Sequence, residues 1–209
     1  MPAPASDQRA PDRRTEILTA ATRVIARRGV RGLRVAELAA EAGVSVALIY
    51  YHFGDRAGLL RRTLEFISER ADRYTTEPDN DPTDALAPGS ELAQALLLEL
   101  QDIPEVRENS TAWGELRASA VFDPDLREDL ASATLTWVHG TADLLGRSRP
   151  GGTAPAHAAA AERLTALLEG LSQRWLSGSL PLEHARHLLS EAVAAELGHD
   201  RKADRCSST

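Results

Sequence analysis

In the stretch Leu33-Arg34-Val35-Ala36-Glu37-Leu38-Ala39-Ala40-Glu41-Ala42-Gly43-Val44-Ser45-Val46-Ala47-Leu48-Ile49-Tyr50-Tyr51-His52-Phe53, two short helical patterns meet at a Gly-Val-Ser turn. Leu38, Ala39 and Ala42 recur at the spacing of one helix face. Gly43 then provides a sharp exit, because glycine adopts positive φ without the clash that a Cβ brings. Ser45 is placed to cap the second helix by accepting a hydrogen bond from a free backbone N–H. Val44, Ile49 and Phe53 turn toward one interior. At 3.6 residues per turn, Ala47, Leu48 and Tyr51 lie opposite Ile49 and Phe53, with Val46, Tyr50 and His52 on the flanks. This outward face holds two tyrosines and a histidine but no carboxylate, a composition suited to lie against phosphates. The pair predicts a helix-turn-helix whose second helix enters the major groove of DNA.

Working outward, Asp12 is expected to cap a first helix whose stripe is Ile17, Leu18, Ala21, Val24 and Ile25, ended by Gly29. Residues 1–11, rich in Pro and Ala, predict a disordered arm, so that the helix-turn-helix domain spans 12–58. Asp55 is expected to cap a longer helix that turns Leu59, Leu60, Leu64, Ile67 and Ala71 inward. Its first turn belongs to the head and its remainder to a body, which makes it the mechanical link. Glu77 to Gly89 holds three prolines and four acids and reads as a loop. Helical patterns follow near Glu91 to Asp102 and Glu105 to Val121, then one opened by Asp123-Pro124. After a loop at Arg149 to Thr153, two last helices are expected over Ala156 to Leu176 and Leu182 to Leu197, with Pro181 at a first helical position. No alternating strand pattern occurs, so the predicted fold class is all-α: a three-helix DNA-binding domain and a larger helical domain over 59–199, with a tail at 200–209.

The chain of 209 residues carries a net charge of −7, which looks wrong for a nucleic-acid binder until it is divided. Residues 1–62 hold eleven arginines against six acids, a net +5, whereas the remainder holds thirteen basic and twenty-five acidic residues, a net −12. Charges beyond a Debye length of about 10 Å are largely screened, so a basic head on an acidic body fits a protein whose head alone touches DNA. The single cysteine, Cys206, cannot form an internal disulfide and points to a reducing cytoplasm. No apolar run reaches the ~18 residues that a membrane span needs, and the N-terminus has no export signal. A cytoplasmic protein with no membrane contact is expected.

Over these residues the chain resembles the tetracycline-repressor (TetR/AcrR) family of one-component transcription regulators. The resemblance is carried by Thr15-Glu16-Ile17-Leu18-Thr19-Ala20-Ala21 to Arg28-Gly29, by the Gly-Val-Ser turn, by Ile49-Tyr50-Tyr51-His52-Phe53, and by Asp55-Arg56-Ala57-Gly58-Leu59-Leu60. Trp113-Gly114-Glu115-Leu116, Asp123-Pro124-Asp125-Leu126-Arg127 and Leu164 to Trp175 look like the regulatory domain of the betaine-regulator (BetI-like) branch, and inform architecture only. The resemblance implies a repressor that binds a palindromic double-stranded operator as a homodimer and is released by a small-molecule effector. It places Tyr50 and His52 at phosphate-contacting positions, Tyr51 where bases or sugars are reached, and Arg56, where the family usually has lysine, at a basic position opening the fourth helix. Arg34 stands where a capping Thr or Ser is usual. That departure loses a cap worth roughly 1 kcal/mol and offers a cation to the phosphates. Val46, Ala47 and Leu48, nearest the groove, include no Arg, Asn, Gln or Lys, so bidentate reading of purine edges is not available there. Thymine methyl groups, tyrosine contacts and DNA shape are the expected readout, with Arg34 or the Arg9 to Arg14 region as the alternative. The expected DNA-contacting set is therefore Arg34, Ser45, Val46, Ala47, Leu48, Tyr50, Tyr51, His52 and Arg56.

In the body, Leu164, Leu167, Leu168, Leu171 and Trp175 form one apolar stripe and Leu188, Leu189 and Val193 belong to another. Both are expected to build a four-helix interface with a second copy, the alternative being that they face the body's own core. Trp113, Leu116, Phe122, Trp137, Val138 and Leu144 are expected to line an effector cavity, with Arg117, Glu115 and His139 as polar handles. An enzyme is not expected, since there is no Gly-rich phosphate loop, His-Glu-x-x-His, paired cysteine or nucleophile elbow, and no cofactor is implied. His184 and His187, with Glu191, have metal-ligand spacing, but without a cysteine or a further fixed ligand the expected reading is solvated or interface histidines. A body that docks a protein partner instead of a small molecule is the competing reading.

Overall fold

The computed structural model describes residues 12–76 and 90–198; the arm at 1–11, the loop at 77–89 and the tail at 200–209 lie outside the described residues. Within them the chain forms α1 (Arg13–Arg28), α2 (Val35–Ala42), α3 (Val46–Phe53), α4 (Arg56–Thr76), α5 (Ser90–Leu98), α6 (Pro104–Ala120), α7 (Pro124–Ser148), α8 (Ala154–Leu176) and α9 (Leu182–Gly198). The described residues contain no strand.

The local chemistry of the turn matches the reading of its residues. Gly43 adopts φ 64° and ψ 33°, the left-handed conformation that ends α2. Ser45 Oγ accepts the Leu48 N–H at 3.1 Å and starts α3, and Asp55 Oδ1 accepts the Gly58 N–H at 2.7 Å to start α4. Two expectations are corrected. The Asp12 side chain makes no cap; only its carbonyl accepts, from the Glu16 N–H at 3.1 Å. Pro181 sits just before α9, its carbonyl accepting the Ala185 N–H at 3.0 Å.

Two apolar cores divide the molecule along a line that differs from the chain order. The first joins α1 to α4 with the inner faces of α6 and the start of α7, through Ile17, Ile25, Leu38, Ile49, Leu59, Leu64, Leu116 and Leu126. The second joins α5, the end of α7, α8 and α9, through Leu92, Leu100, Leu145, Leu164, Leu168 and Leu189. The helix-turn-helix thus shares its interior with α6, and α6 also packs on α8. Ion pairs reinforce the junction between head and body: Arg61 to Asp129 at 2.9 Å, Arg70 to Glu105 at 2.8 Å and Arg23 to Glu108 at 3.9 Å.

The second core also corrects the expected outward stripes. Leu164, Leu168, Leu171, Trp175, Leu189 and Val193 are buried within the single chain, because α8 and α9 turn these residues onto each other and onto α5 and α7. Leu188 is half-buried against the same core, and Leu167 alone of the expected set is exposed, at 36%. One outward strip of α8 holds Ala159, Arg163, Ala166, Leu167 and Gly170, flanked by the exposed Glu162, Gln173 and Arg174.

Candidate nucleic-acid interface and ligand cavity

Burying Ile49 and Phe53 in the first core fixes the rotation of α3 and leaves its other residues at the surface. Tyr51 is 82% exposed and Tyr50 45%. Val46 and Ala47 are exposed, and Leu48 and His52 half-buried. The rings of Tyr51 and His52 meet edge-on with centroids 5.3 Å apart. Arg34 is exposed at the N-cap of α2, in extended backbone, with no side-chain cap bond. Arg56 is also exposed, but its Nη2 donates to the Val30 carbonyl at 2.6 Å, which ties the start of α4 to the α1–α2 connection. The cationic side chains on the back of the pair are engaged internally: Arg27 bonds Glu41 at 2.6 Å and Arg28 bonds Glu37 at 2.5 Å, locking α1 to α2. The nine expected residues thus sit at the N-cap of α2, along α3 with its cap, and at the start of α4, with Arg56 partly committed to the scaffold.

Behind α4 lies a cavity of about 630 Å³ walled by α4, α6, α7 and α8. Trp113, Arg117 and Trp137 of the expected set line it. Leu116, Phe122, Val138, His139 and Leu144 do not: Leu116 is buried in the first core, and Val138 in the second with Leu144 packed against it. Phe122 follows the end of α6, is 75% exposed, and lies under the Arg31 guanidinium at 5.5 Å from its ring centre. His139 follows the buried Val138 and is carried to the outer face of α7. Glu115 faces away from the cavity, toward the turn after α1, where a Cβ on Gly29 would fall 2.6 Å from its Oε2.

Sequence reasoning did not find Glu169, Arg61, Asp129 or Ser172, which also line this space. Glu169 Oε1 accepts the Trp113 indole N–H at 2.7 Å and pairs with Arg117 Nη2 at 2.5 Å. Arg117 Nη2 also donates to Thr134 Oγ1 at 2.9 Å. The hydrogen bond that Arg61 Nε donates to Asp129, with that carboxylate's charge, holds the Arg61 guanidinium above its ordinary pKa. The rings of Trp113 and Trp137 meet at 76° with centroids 6.2 Å apart. Across from them the exposed Gln173 side chain of α8 lies over Gly114 of α6, its Nε2 2.2 Å from where a Cβ would stand. The only signal in the sequence was the position of Glu169 beside the Leu164–Leu168–Leu171 stripe, which marks a residue at the edge of a buried face without saying what it meets.

His184 and His187 are exposed on α9, with His187 Nε2 3.5 Å from Glu191 Oε1. Among the described residues no group of three or more potential ligands is arranged to hold a metal ion, and no helix is long and apolar enough to cross a membrane.

Residues 17–63 match the model of bacterial regulatory proteins of the tetR family, and residues 88–198 match that of the C-terminal domain of BetI-type transcriptional repressors. The chain belongs to the TetR family. A TetR-family transcriptional regulator from Rhodococcus sp. has the same fold, with a TM-score of 0.80 and 42% identity over 88% of this chain and 98% of that one. A transcriptional regulator from Saccharomonospora viridis, solved in complex with choline, gives a TM-score of 0.71 and 26% identity over 87% and 95% of the two chains. The transcriptional regulator BetI of Stenotrophomonas maltophilia is 28% identical, over 81% of this chain and 83% of its own. This TetR-family protein is accordingly a transcriptional regulator with a BetI-type repressor body, and not an enzyme.

Proposed function

We propose that the protein represses transcription from the cytoplasm as a homodimer bound to a two-fold-symmetric operator, and leaves that operator when a small organic cation enters the cavity behind α4. The observation that carries the DNA half is the exposed α3 face. Val46, Tyr50 and Tyr51 stand clear of a head whose other large apolar and aromatic side chains are buried or half-buried, within residues 17–63 that match the family. Tyrosine hydroxyls and Arg34 reach phosphate and sugar, and the aliphatic tips of Val46, Ala47 and Leu48 meet thymine methyl groups.

A dimer is needed because one short helix neutralises few phosphates; two heads about 34–36 Å apart meet successive major grooves. Since the leucine stripes are consumed in the chain's own core, the dimer face is assigned to the outward residues of α8 and α9. Ala159, Ala166 and Gly170 present small side chains that let two helices approach closely around Leu167, and α9 adds the exposed His184 and Glu191.

The effector class follows from the wall of the cavity. The carboxylates of Glu65, Glu69, Glu99, Asp129 and Glu169 line it against the guanidinium groups of Arg61 and Arg117, Glu65 being paired with Arg62 as well, and two tryptophans supply the aromatic surface that attracts cations. The Saccharomonospora viridis regulator was solved with choline, an ion of this chemistry.

Selecting bound sequences from genomic fragments with the purified full chain, then titrating choline and tetramethylammonium into the complex, tests both halves. The expected result is a palindromic site bound by two copies with salt-sensitive affinity, and its release by a quaternary ammonium ion. Failure to enrich any duplex overturns the DNA reading; enrichment of a site that is not released overturns the effector reading.

A further inference from the structure

Inside the cavity, the surface best suited to an organic cation is already covered by a cation of the chain itself. The Arg117 guanidinium carbon lies 5.5 Å from the centre of the Trp113 ring. Its Nη2 is 2.5 Å from Glu169 Oε1, the same oxygen that accepts the Trp113 indole N–H. An aromatic face with a carboxylate at its edge is the arrangement that holds ammonium and guanidinium groups. The site is built rather than incidental. The Gln173 side chain of α8 lies over Gly114 of α6, Trp137 closes on Trp113, and Ser172, more than nine-tenths buried, leaves its hydroxyl without a hydrogen-bond partner among the described residues.

Arg117 is the displaceable member of this group. Of its five donor N–H groups, Nε has no partner, and Nη2 is shared between Glu169 on α8 and Thr134 on α7. Losing Glu169 leaves the guanidinium anchored at Thr134.

We propose that Arg117 is the resident occupant of the effector site, and that an organic cation enters by taking over the Trp113 face and Glu169 while Arg117 withdraws toward Thr134. The proposal rests on the cation reading given above. It makes Arg117 a specificity-determining residue: an entering ion must gain more from Trp113 and Glu169 than the guanidinium it replaces. Quaternary ammonium ions satisfy this because their loosely hydrated charge spreads over the ring face; neutral compounds do not compete. The exchange also has a mechanical consequence. It removes the Arg117–Glu169 link between α6 and α8 and leaves the Trp113 indole bond to Glu169, while α6 keeps Glu108 beside Arg23 and Glu115 against the turn at Gly29. A ligand that binds the state without that ion pair better than the paired one shifts the position of α6, and with it the first core that carries α3.

Isothermal titration of the full chain with choline and with tetramethylammonium tests this, using Arg117→Met, Arg117→Gln, Arg117→Lys and Glu169→Gln. Removing the occupant is expected to tighten binding of both probes by roughly tenfold in Arg117→Met and Arg117→Gln, the scale of a released cation–π contact with its ion pair. Arg117→Lys, which keeps a cation, stays near the parent, and Glu169→Gln loses most of the binding. Circular dichroism confirms that each variant is folded, and the glutamine variant retains a partner for Thr134 if the methionine variant does not fold. Equal or weaker binding by both Arg117→Met and Arg117→Gln overturns the occupant proposal while leaving the cation reading intact. Binding of benzoate that disappears in Arg117→Met marks Arg117 as an anion receptor and overturns it as well. If neither the parent nor any variant binds either ammonium ion, the cation reading itself falls, and the proposal with it.

Discussion

The α3 face and the cavity behind α4 hold similar kinds of side chain in opposite states. On α3, Tyr50 and Tyr51 point to solvent and Val46 stands exposed beside them, with no carboxylate on the helix. In the cavity, Trp113 is hydrogen bonded to Glu169, Arg117 lies over its ring, and Arg61 is paired with Asp129. An outside partner meets the first surface without having to break an internal bond. A ligand entering the second must first separate groups that already satisfy one another. DNA affinity is therefore set mainly by what the head leaves uncommitted, and effector affinity by the strength of the pairs that are replaced.

The largest effects that test this contrast lie two positions apart, on opposite faces of the same helix. Ile49 is fully buried in the first core, and Ile49→Ala is expected to lower stability by about 2–5 kcal/mol in denaturant unfolding, through lost burial and a residual cavity. Tyr51→Ala removes a side chain with almost no packing, so unfolding should be unchanged within about 0.5 kcal/mol. Its operator affinity should nevertheless fall by about 1–3 kcal/mol, or roughly ten- to a hundredfold, in a binding assay at fixed salt. If Tyr51→Ala unfolds as readily as Ile49→Ala, the face is structural and the contrast disappears.

A smaller effect is expected at Ser45, whose hydroxyl accepts the Leu48 N–H. Ser45→Ala should cost about 1 kcal/mol of stability. Because α3 has only eight residues, the same change should weaken operator binding by loosening the helix that carries the tyrosines. A Ser45→Asp variant restores the cap but sets a carboxylate toward the phosphates. Full stability with weakened, salt-sensitive binding in that variant would separate the capping role from the surface role.

The head was legible in the sequence because its determinants are local. Gly43, Ser45 and the Ile49–Phe53 spacing fix the turn, the cap and the rotation of α3 within a dozen residues, and the positions of Tyr50 and Tyr51 follow from them. The cavity was legible only in part because its walls come from four helices that are distant in the chain. Trp113 and Trp137 were found as aromatics within the helical patterns of the body. Glu169 was missed because nothing near it in sequence reveals that α8 packs on α6. Phe122 and His139 show the converse error: an aromatic at the end of a helix and a histidine one residue past a buried valine are turned away by rotations that composition does not encode. The leucines of α8 and α9 carry the same lesson. An apolar stripe says that a face is buried, not whether it is buried against its own chain or another copy.

Arg34 allows the contrast to be sharpened within a single side chain, with the smallest expected change. It occupies the N-cap of α2 in extended backbone, makes no cap bond, and has no ion pair among the described residues. It is thus poor for the helix and available to an anion. Arg34→Thr supplies the oxygen that the Leu33–Arg34 junction lacks, so stability should rise by about 0.5–1 kcal/mol. The same substitution removes one cation from the DNA-facing end of the head. Operator affinity should then fall at low salt, and the slope of log affinity against log salt should drop by about one phosphate contact. Opposite signs in the two measurements show a residue kept for its surface charge at the expense of its helix. A rise in stability with an unchanged salt slope would instead remove Arg34 from the DNA-contacting set and leave the α3 tyrosines to carry the interface.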